Sequence, residues 1–593
     1  MSNIRIRQRS SRKTSLVALL MTVGSVLPAP AQSAPVLYFS DVTSGPRSGN
    51  SDSSAGLPPG QNGAIVTVWG TGIGSSRGTS KIYCNGAEAP SYYYWGNATK
   101  PANLYASHRM QMISFQVSGS AQNGRGVIYA VVNGQQSNTL PFTIRSGSMY
   151  FVKTSGSDAT GDGSWTLPWR TIGKAVASLA NGDIAYVGNG VSQTTAGEYD
   201  AAVNLGSSGT ADNPKALIVY PGATAKVGNP KIYRAFHSWG TGTGGYVQHW
   251  VLSKFSITTK VVGVFANTGF RVVGNRLTGA KTNEGMEGTI YAIGSDLYLL
   301  GNELGNIGTA QSNDSKLQHV IYVTGVRQDE MPRAPTERTR EIAWNYLHDN
   351  YVNRGINIYS EQDGSAYIQQ HRIHDNVIVN QRGDGILVGY YVTAENWIYN
   401  NLIVRAGLGP ELDNPSTHAG IQIDTGHESV PRTKTIIHCY NNTLYGCGFS
   451  GAVYAGENGA LFITSSATSR STLRFANNIV VSTGEPYLAG DSGIPTSGDY
   501  RGCWFGDGAA PRWDEGAINA DPQFVSAASR DFQLRSTSPC RDAGKDVSKT
   551  VARDLLGVPR PQGSAFDLGA YELRPAQGSG SHARRKSPRN REN

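Results

Sequence analysis

The side chains that could do chemistry recur beside a short phrase in the middle of the sequence. The phrase has an outward residue, a Gly and then alternating apolar positions, so each copy predicts a strand with one apolar face. Its copies lie at 354–359, 384–389 and 419–424, with a weaker one at 450–455 and an earlier one without the Gly at 319–324.

If these strands stack as neighbouring rungs about 4.8 Å apart, the residues before each Gly fall on one line. That line holds His319, Arg354, Asp384 and His418, which lies beside Ala419, within about 15 Å, provided that no extra coil intervenes near 326–340. A hydrogen-bonded surface ladder is the alternative. Because folding does not require a His, an Arg and a carboxylate on one line, we take these four residues as the candidate catalytic set.

One chemistry for this set is β-elimination on a uronic acid, in which a base removes the proton next to the carboxylate. His319, His418 or a lysine could be the base. A positive charge must neutralise the substrate carboxylate, and Arg354 and Lys316 could supply it. Asp384 and Asp424 are the candidate ligands if Ca²⁺ supplies the charge instead.

A second chemistry is glycoside hydrolysis, which needs two carboxylates on either side of the bond. Asp384 with Asp424 or Glu361 is the available pair. The candidate substrate-binding residues are the charged, polar and aromatic side chains near the line: Lys316, Tyr359, Glu361, Tyr390 and Gln422.

A second phrase, a few apolar residues and then Asn, alternates with the first at spacings of 25 to 43 residues. Unequal repeats of this kind are typical of a β-solenoid, because each coil needs only its neighbours. Asn tolerates left-handed turns, and its amide can bond to the equivalent Asn one coil away. The repeated residues are Asn275, Asn302, Asn345, Asn376, Asn401, Asn442 and Asn478.

The composition is that of an all-β secreted protein. The chain has 593 residues with 72 Gly and 29 Tyr, and only 16% are charged. The formal charge of +9 arises at the two ends, so it gives no indication of a nucleic-acid partner. Of the five Cys, 439 and 447 are one candidate disulfide pair and 503 and 540 another, which leaves Cys84 free.

The ends carry segments outside the fold. Residues 1–34 read as a signal peptide, with a basic start and an apolar stretch at 16–27 that is too short to span a bilayer. We therefore expect a secreted protein that does not insert into a membrane. Residues 573–593 predict a disordered basic tail.

Residues 36–146 predict a small β-sandwich. A strand at 64–70 runs into the Gly-rich turn 70–74, and Ser-Asn-Thr-Leu-Pro-Phe-Thr-Ile closes the segment at 137–144. This pattern resembles the IPT/TIG immunoglobulin-like domain. The resemblance implies a spacer or binding module, so no chemistry is assigned to it.

Residues 149–572 contain two further motifs. A short amphipathic helix at 168–176 precedes a strand at 184–187, and the segment 521–572 ends in Phe-Asp-Leu-Gly-Ala-Tyr-Glu. Both resemble secreted right-handed parallel β-helix proteins of the pectate-lyase-like superfamily. There the helix caps the open end of the solenoid, and the acidic residues of the closing segment hold turns and ion pairs. The superfamily contains lyases, hydrolases, epimerases and non-catalytic proteins.

The sequence therefore predicts a right-handed parallel β-helix preceded by an immunoglobulin-like sandwich. The first functional hypothesis is a monomeric secreted lyase that cleaves an acidic polysaccharide in a groove walled by loops on one side. The alternatives are a glycoside hydrolase in the same groove and a non-catalytic glycan-binding protein.

Overall fold

The structure is a computed structural model. It describes residues 34–238, 245–279, 287–309, 317–325, 339–360, 370–390, 392, 395–410, 416–425, 435–448, 451, 455–464, 467, 471–490, 500–506 and 508–574. Lys316, Glu361, nearly all of the predicted signal peptide and the tail after Arg574 lie outside these residues. No helix in the described part of the chain is long and apolar enough to cross a bilayer.

The N-terminal domain is a sandwich of two sheets around one apolar core. One sheet has the order β1-β3-β7-β6, and the other has the order β2-β10-β8-β4-β5 with β9 paired to β8. The strands are β1 Val36–Ser40, β2 Ser44–Gly45, β3 Ile65–Thr71, β4 Lys81–Cys84, β5 Ala87–Glu88, β6 Tyr92–Asn97, β7 Gln111–Gln116, β8 Gly124–Val132, β9 Gln135–Gln136 and β10 Leu140–Ile144. Helix α1, Leu104–His108, lies between β6 and β7.

The larger domain is a parallel β-helix, as predicted. Most of its coils contribute two strands to a 21-stranded sheet, which we call the long sheet. Its strands are β11 Met149–Val152, β12 Ile184–Val187, β13 Ser192–Gln193, β15 Lys215–Val219, β16 Lys226–Val227, β18 Trp250–Ser253, β19 Ser256–Thr258, β21 Arg271–Val273, β22 Arg276–Thr278, β24 Leu297–Leu300, β25 Glu303–Gly305, β27 Thr339–Ala343, β28 Tyr346–Asn350, β30 Gln370–His374, β31 Val377–Gln381, β33 Glu395–Tyr399, β34 Leu402–Ala406, β36 Thr435–Tyr440, β37 Thr443–Tyr445, β39 Ser471–Val481 and β41 Arg501–Phe505.

The third strand of each coil joins a ten-stranded parallel sheet, which we call the short sheet. Its strands are β14 Ala201–Asn204, β17 Arg234–His237, β20 Val262–Ala266, β23 Gly288–Ile293, β26 His319–Thr324, β29 Arg354–Ser360, β32 Ile386–Tyr390, β35 His418–Thr425, β38 Asn458–Ile463 and β40 Leu488–Gly490. A small hairpin, β42 Phe524–Ser526 and β43 Asp531–Leu534, follows the last coil.

The repeated Asn residues form the predicted ladder inside the turn between the two long-sheet strands of a coil. From Asn275 to Asn442, each amide Nδ2 donates to Oδ1 of the next Asn at 3.0–3.1 Å. Each also donates to a backbone carbonyl, as Asn376 does to Ile342 at 2.8 Å. The left-handed conformation that we expected of these Asn residues belongs to the residue before each one, such as Trp344 at φ 56°. The ladder Asn therefore serves by its amide rather than by its backbone.

Two segments outside the strands of the coils cover parts of the solenoid. Helix α2, Ile172–Ser178, buries Ile172, Ala175 and Val176 over the first coils, as predicted for a cap helix. In the closing segment, Arg560 and Glu572 form a fully buried ion pair at 2.9 Å. This pair supports the expectation that the charges of the segment are structural. All five cysteines are buried free thiols, so neither candidate disulfide is present.

The sandwich packs against the long sheet. Tyr38 and Phe39 contact the ring of Trp344, and buried Lys254 pairs with Asp41 at 3.1 Å. The outward face of the short sheet carries no part of this contact among the described residues, so the two faces of the solenoid differ in what covers them.

Candidate functional site

The short sheet stacks the phrases in the predicted register. His319 pairs with Arg354, and Ile356 pairs with Ile386, which places Asp384 one rung after Arg354. No coil intervenes between β26 and β29, so the insertion near 326–340 does not shift the line.

The register corrects the last copy of the phrase. Ala419 pairs with Gly459, so the rung after β35 is Asn458–Ile463 and not 450–455. Both stretches have a polar residue, a Gly and apolar positions, but every residue of Asn458–Ile463 is buried. The strand that pairs with β35 is therefore the copy with the larger apolar side chains.

Arg354 and Asp384 form one buried group with Thr417. Arg354 Nε lies 3.0 Å from Asp384 Oδ2, which also accepts a 2.6 Å hydrogen bond from the Thr417 hydroxyl. Asp384 Oδ1 accepts the Ala419 N–H at 2.8 Å. The Thr417 hydroxyl also lies 2.7 Å from the Gln422 side-chain amide. Since the hydroxyl has one proton and gives it to the carboxylate, Gln422 presents its NH₂ to the hydroxyl oxygen.

His418 does not join this group. It pairs in register with Asn458, one position before the pair Ala419 and Gly459, and its Nδ1 lies 3.2 Å from the Arg382 carbonyl. Successive residues of a strand point to opposite faces, so an offset of one residue takes the imidazole away from the line.

His319 lies beside Arg354 with its ring edge-on to Tyr322 at 5.1 Å. Burial and then the charge of Arg354 lower the pKa of His319 well below its usual value, so this imidazole is neutral at neutral pH. Its Nδ1 and the side-chain Oδ1 of Asn357 are buried without a hydrogen-bond partner in the described part of the chain. Buried polar atoms of this kind are uncommon, and binding sites are one place where they occur.

A carboxylate that the sequence analysis missed lies on the next rung. Glu457 ends a short 3₁₀ helix, Ala455–Glu457, and precedes β38, which places it opposite Thr417. Burial, the charge of Asp424 and the charge of Asp384 raise the pKa of Glu457, in that order. Recognising Asn458–Ile463 as a copy of the phrase would have drawn attention to Glu457.

The aromatic side chains of this face stack on one another. Tyr359 and Tyr390 have ring centroids 5.0 Å apart, and a second stack runs through Phe265, Tyr291 and Tyr322 at 5.1 and 5.5 Å. Phe265 and Tyr291 are stacked, whereas Tyr322 is tilted relative to Tyr291, so the rings of this second series support one another along the sheet. Tyr359 and Tyr390 lie near Asp424 in register and remain candidates for substrate contacts.

The described residues do not favour a cation at Asp384. Both of its oxygens are engaged by Arg354, Thr417 and the Ala419 N–H. No group of three or more His, Cys, Asp or Glu residues within the described ranges could hold a metal ion. Asp384 therefore acts as the partner of a guanidinium.

Comparisons with known proteins were made on sequence and on structure. No protein-family model matches the sequence, and the search of curated proteins finds no relative. Among solved structures, the chain is similar to the pectate lyase Pel9A, with 14% identity, 72% of this chain and 96% of that chain covered, and a TM-score of 0.43.

Two further solved structures are similar at a lower level. XylC in complex with xylose has 10% identity, covers 72% of this chain and 98% of that chain, and gives a TM-score of 0.32. A rhamnogalacturonan lyase has 13% identity, covers 66% and 95%, and gives a TM-score of 0.29. The strand topology establishes the parallel β-helix, and the chemistry has to be argued from the site.

Proposed function

We propose that this chain is a secreted enzyme that cleaves a polysaccharide by hydrolysis on the outward face of the short sheet, with Glu457 and Asp424 as its two carboxylates. The observation that carries this proposal is the raised pKa of Glu457, which burial and the charges of Asp424 and Asp384 produce together. Asp424 supplies the second carboxylate, and it lies close enough to Glu457 for its charge to raise the pKa of that group.

The two carboxyl groups take different roles in this reaction. Glu457 keeps its proton to a higher pH than an ordinary glutamic acid and donates it to the glycosidic oxygen as the bond breaks. Asp424 either activates the attacking water or attacks the sugar itself, according to the distance that the protein sets between the two carboxyl groups.

The group around Asp384 positions the site. The carboxylate fixes the Thr417 hydroxyl, which in turn fixes the amide of Gln422 on the outward face. Arg354 Nε lies 3.0 Å from Asp384 Oδ2 and offsets the charge of this buried carboxylate. An oriented amide on a strand is suited to binding a sugar hydroxyl.

β-Elimination on an acidic polysaccharide is the second candidate, and His319 is the observation that favours it. The imidazole is neutral, and its buried Nδ1 has no hydrogen-bond partner among the described residues, so this nitrogen can accept a proton from a substrate, although the lowered pKa of the imidazole makes it a weak base. Elimination also needs a positive charge at the substrate carboxylate. Arg354, the cation of the site among the described residues, is already paired with Asp384. The carboxylates of Asp424 and Glu457 would repel a uronate.

Product analysis on a panel of neutral and acidic polysaccharides tests both candidates. Hydrolysis yields new reducing ends without the near-ultraviolet absorbance of an unsaturated uronate, and Asp424→Asn should abolish their release. Unsaturated products would establish elimination and overturn the proposal, as would a fully active Asp424→Asn variant. Recovery of the protein outside the producing cells tests the secretion part of the proposal.

A further inference from the structure

A second cavity lies away from the proposed reaction centre, between the ends of the long-sheet strands and the small C-terminal hairpin. It has a volume of about 540 Å³ and is lined by residues that include Arg382, Arg405 and Arg530. None of the side chains assigned above to catalysis or substrate contact lines it. Three guanidinium groups around one cavity make it a candidate for an anionic ligand.

The residues that line this cavity include three arginines and one carboxylate, that of Asp349. Within the described residues, neither Arg405 nor Arg530 has a carboxylate within ion-pair distance of its guanidinium. Asp349 also lines the cavity, but its carboxylate is engaged by His348 Nδ1 at 2.9 Å and by Asn380 Nδ2 at 2.7 Å. Although burial opposes it, hydrogen bonds from Asn380 and His348, together with the charges of His348 and Arg530, lower the pKa of Asp349, so this carboxylate offsets part of the arginine charge.

Arg382 adds a buried cation to the wall. It is 2% exposed, and its Nη2 donates to the Thr309 carbonyl at 3.2 Å. Burial lowers the pKa of Arg382, which reflects the loss of hydration around its charge. Its guanidinium adds a third positive charge beside those of Arg405 and Arg530.

The backbone provides an independent observation. The turn after each of these long-sheet strands has a left-handed residue, and the stack reads Asn306, Asp349, Asn380, Arg405 and Gly446. Asn, Asp and Gly adopt this conformation readily, whereas a long side chain is strained in it. Arg405, at φ 58°, is the exception in the stack.

Arg530 repeats the exception from the opposite wall. It ends the 3₁₀ helix Ala527–Ser529 in the left-handed region at φ 62°. Two arginines therefore occupy positions that suit Gly or Asn, and both line the same cavity. Strained backbone concentrates at sites where the side chain has a use other than stability.

We propose that this cavity binds a compact oxyanion, the carboxylate or sulfate of an acidic sugar or free inorganic phosphate or sulfate, through Arg382, Arg405 and Arg530. This inference goes beyond the proposed hydrolysis and does not depend on it. The guanidinium groups provide bidentate contacts, and the ligand charge offsets the surplus positive charge of the walls.

Isothermal titration of the whole protein tests this site with four probes in a chloride buffer: phosphate, sulfate, galacturonate and a galacturonate oligomer. Saturable binding of at least one probe is expected, and it should weaken as salt rises. Preference for the saccharide acids identifies a sugar as the source, whereas equal binding of the inorganic ions identifies the oxyanion alone. Absence of binding by all four probes overturns the proposal.

Two variants locate the binding, since Arg405→Asn and Arg530→Gln each remove one guanidinium from the wall. Each should weaken binding at least about tenfold. Arg405→Asn should also raise the Tm by about 1–2 °C, because Asn adopts the left-handed conformation at lower cost.

The control is Arg109→Asn, which relieves a left-handed arginine at φ 55° in the sandwich, outside the cavity. It should leave binding unchanged. Unaltered affinity in both Arg405→Asn and Arg530→Gln would show that the probes bind elsewhere and would overturn the assignment.

Discussion

The turn of the long sheet and the outward face of the short sheet both repeat once per coil. They differ in whether the residue type at an equivalent position stays the same from coil to coil. Seven coils place the same residue, Asn, at the same position of the turn, and each amide bonds to the next. On the short sheet, one outward position reads Tyr322, Asn357, Leu387, Gln422 and Phe462 in successive coils.

The difference separates structural positions from functional ones. A repeated Asn satisfies the same buried groups in every coil, so any change there costs stability. A position that varies from coil to coil is free of that requirement. It can therefore hold a single group suited to chemistry, such as the amide of Gln422. We therefore expect substitutions in the turn to affect folding and substitutions on the short-sheet face to affect turnover.

The largest effect should follow Glu457→Gln. Loss of the general acid should reduce kcat by between about a hundredfold and ten-thousandfold, while the thermal transition stays in place. Rates on the polysaccharide found in the panel give the measurement. The matched control is Glu485→Gln, because Glu485 accepts from Asn458 at 2.8 Å and so lies near the same rung without facing Asp424. An equal loss of kcat in Glu457→Gln and Glu485→Gln would contradict the role of Glu457 as the general acid.

For Asn376→Ala in the turn, we expect a loss of stability as the main effect, rather than a loss of turnover. Its side chain makes four hydrogen bonds to Ile342, Asn401 and Asn345, and all of these groups are buried. Leaving them unsatisfied should lower the free energy of unfolding by about 3 kcal/mol, as measured by denaturant titration.

The end of the Asn ladder sharpens this prediction. The side-chain oxygen of Asn478 accepts hydrogen bonds from Asn442. Among the described groups, its own NH₂ donates only to the Cys439 carbonyl. Asn478→Ala should therefore cost less, about 1–2 kcal/mol. An equal cost at both positions would contradict the idea that each rung supports the next.

Asp384→Asn should affect both stability and turnover, because Asp384 both pairs with Arg354 and positions Thr417. Removing its charge leaves the guanidinium poorly compensated, and we expect a loss of about 2–4 kcal/mol together with reduced turnover. Adding Arg354→Met should recover part of that stability, since the uncompensated charge is then removed as well. Strictly additive losses would show that the pair is not coupled.

A small effect that depends on pH should come from His374 on the sandwich side of the solenoid. Asp375 and Glu341, at 2.7 and 3.2 Å, raise its pKa to about 9. This folded value lies above the unfolded one of about 6.5, so the stabilisation is complete below that pH and is lost as the pH rises through about 9. His374→Gln should remove about 1–2 kcal/mol of pH-dependent stability between pH 6.5 and 9. An unchanged stability profile would contradict this account.

The sequence was a reliable guide wherever a residue type repeated. The Asn positions predicted the coils and their ladder, and the phrases at 319, 354, 384 and 419 predicted the short-sheet register. The residue types alone could not show that Arg354 and Asp384 would form an ion pair, since that depends on the side-chain conformations that the two residues adopt on neighbouring strands.

Two errors have one cause. The copies at 450–455 and 458–463 both fit the phrase, and coil length did not decide between them, because loops of any length can leave a solenoid. His418 was assigned to the outward line although Ala419 holds the registered position. An alternation of period two tolerates neither a misplaced rung nor an offset of one residue.

The titration of the Glu457 carboxyl group is the most direct test of the site, because it needs no substrate. It can be followed by ¹³C NMR of the labelled protein, with Glu457→Gln to assign the signal. The account predicts a pKa above the ordinary value of about 4.3 that falls when Asp424 is replaced by Asn. An ordinary pKa that does not respond to Asp424→Asn would contradict it.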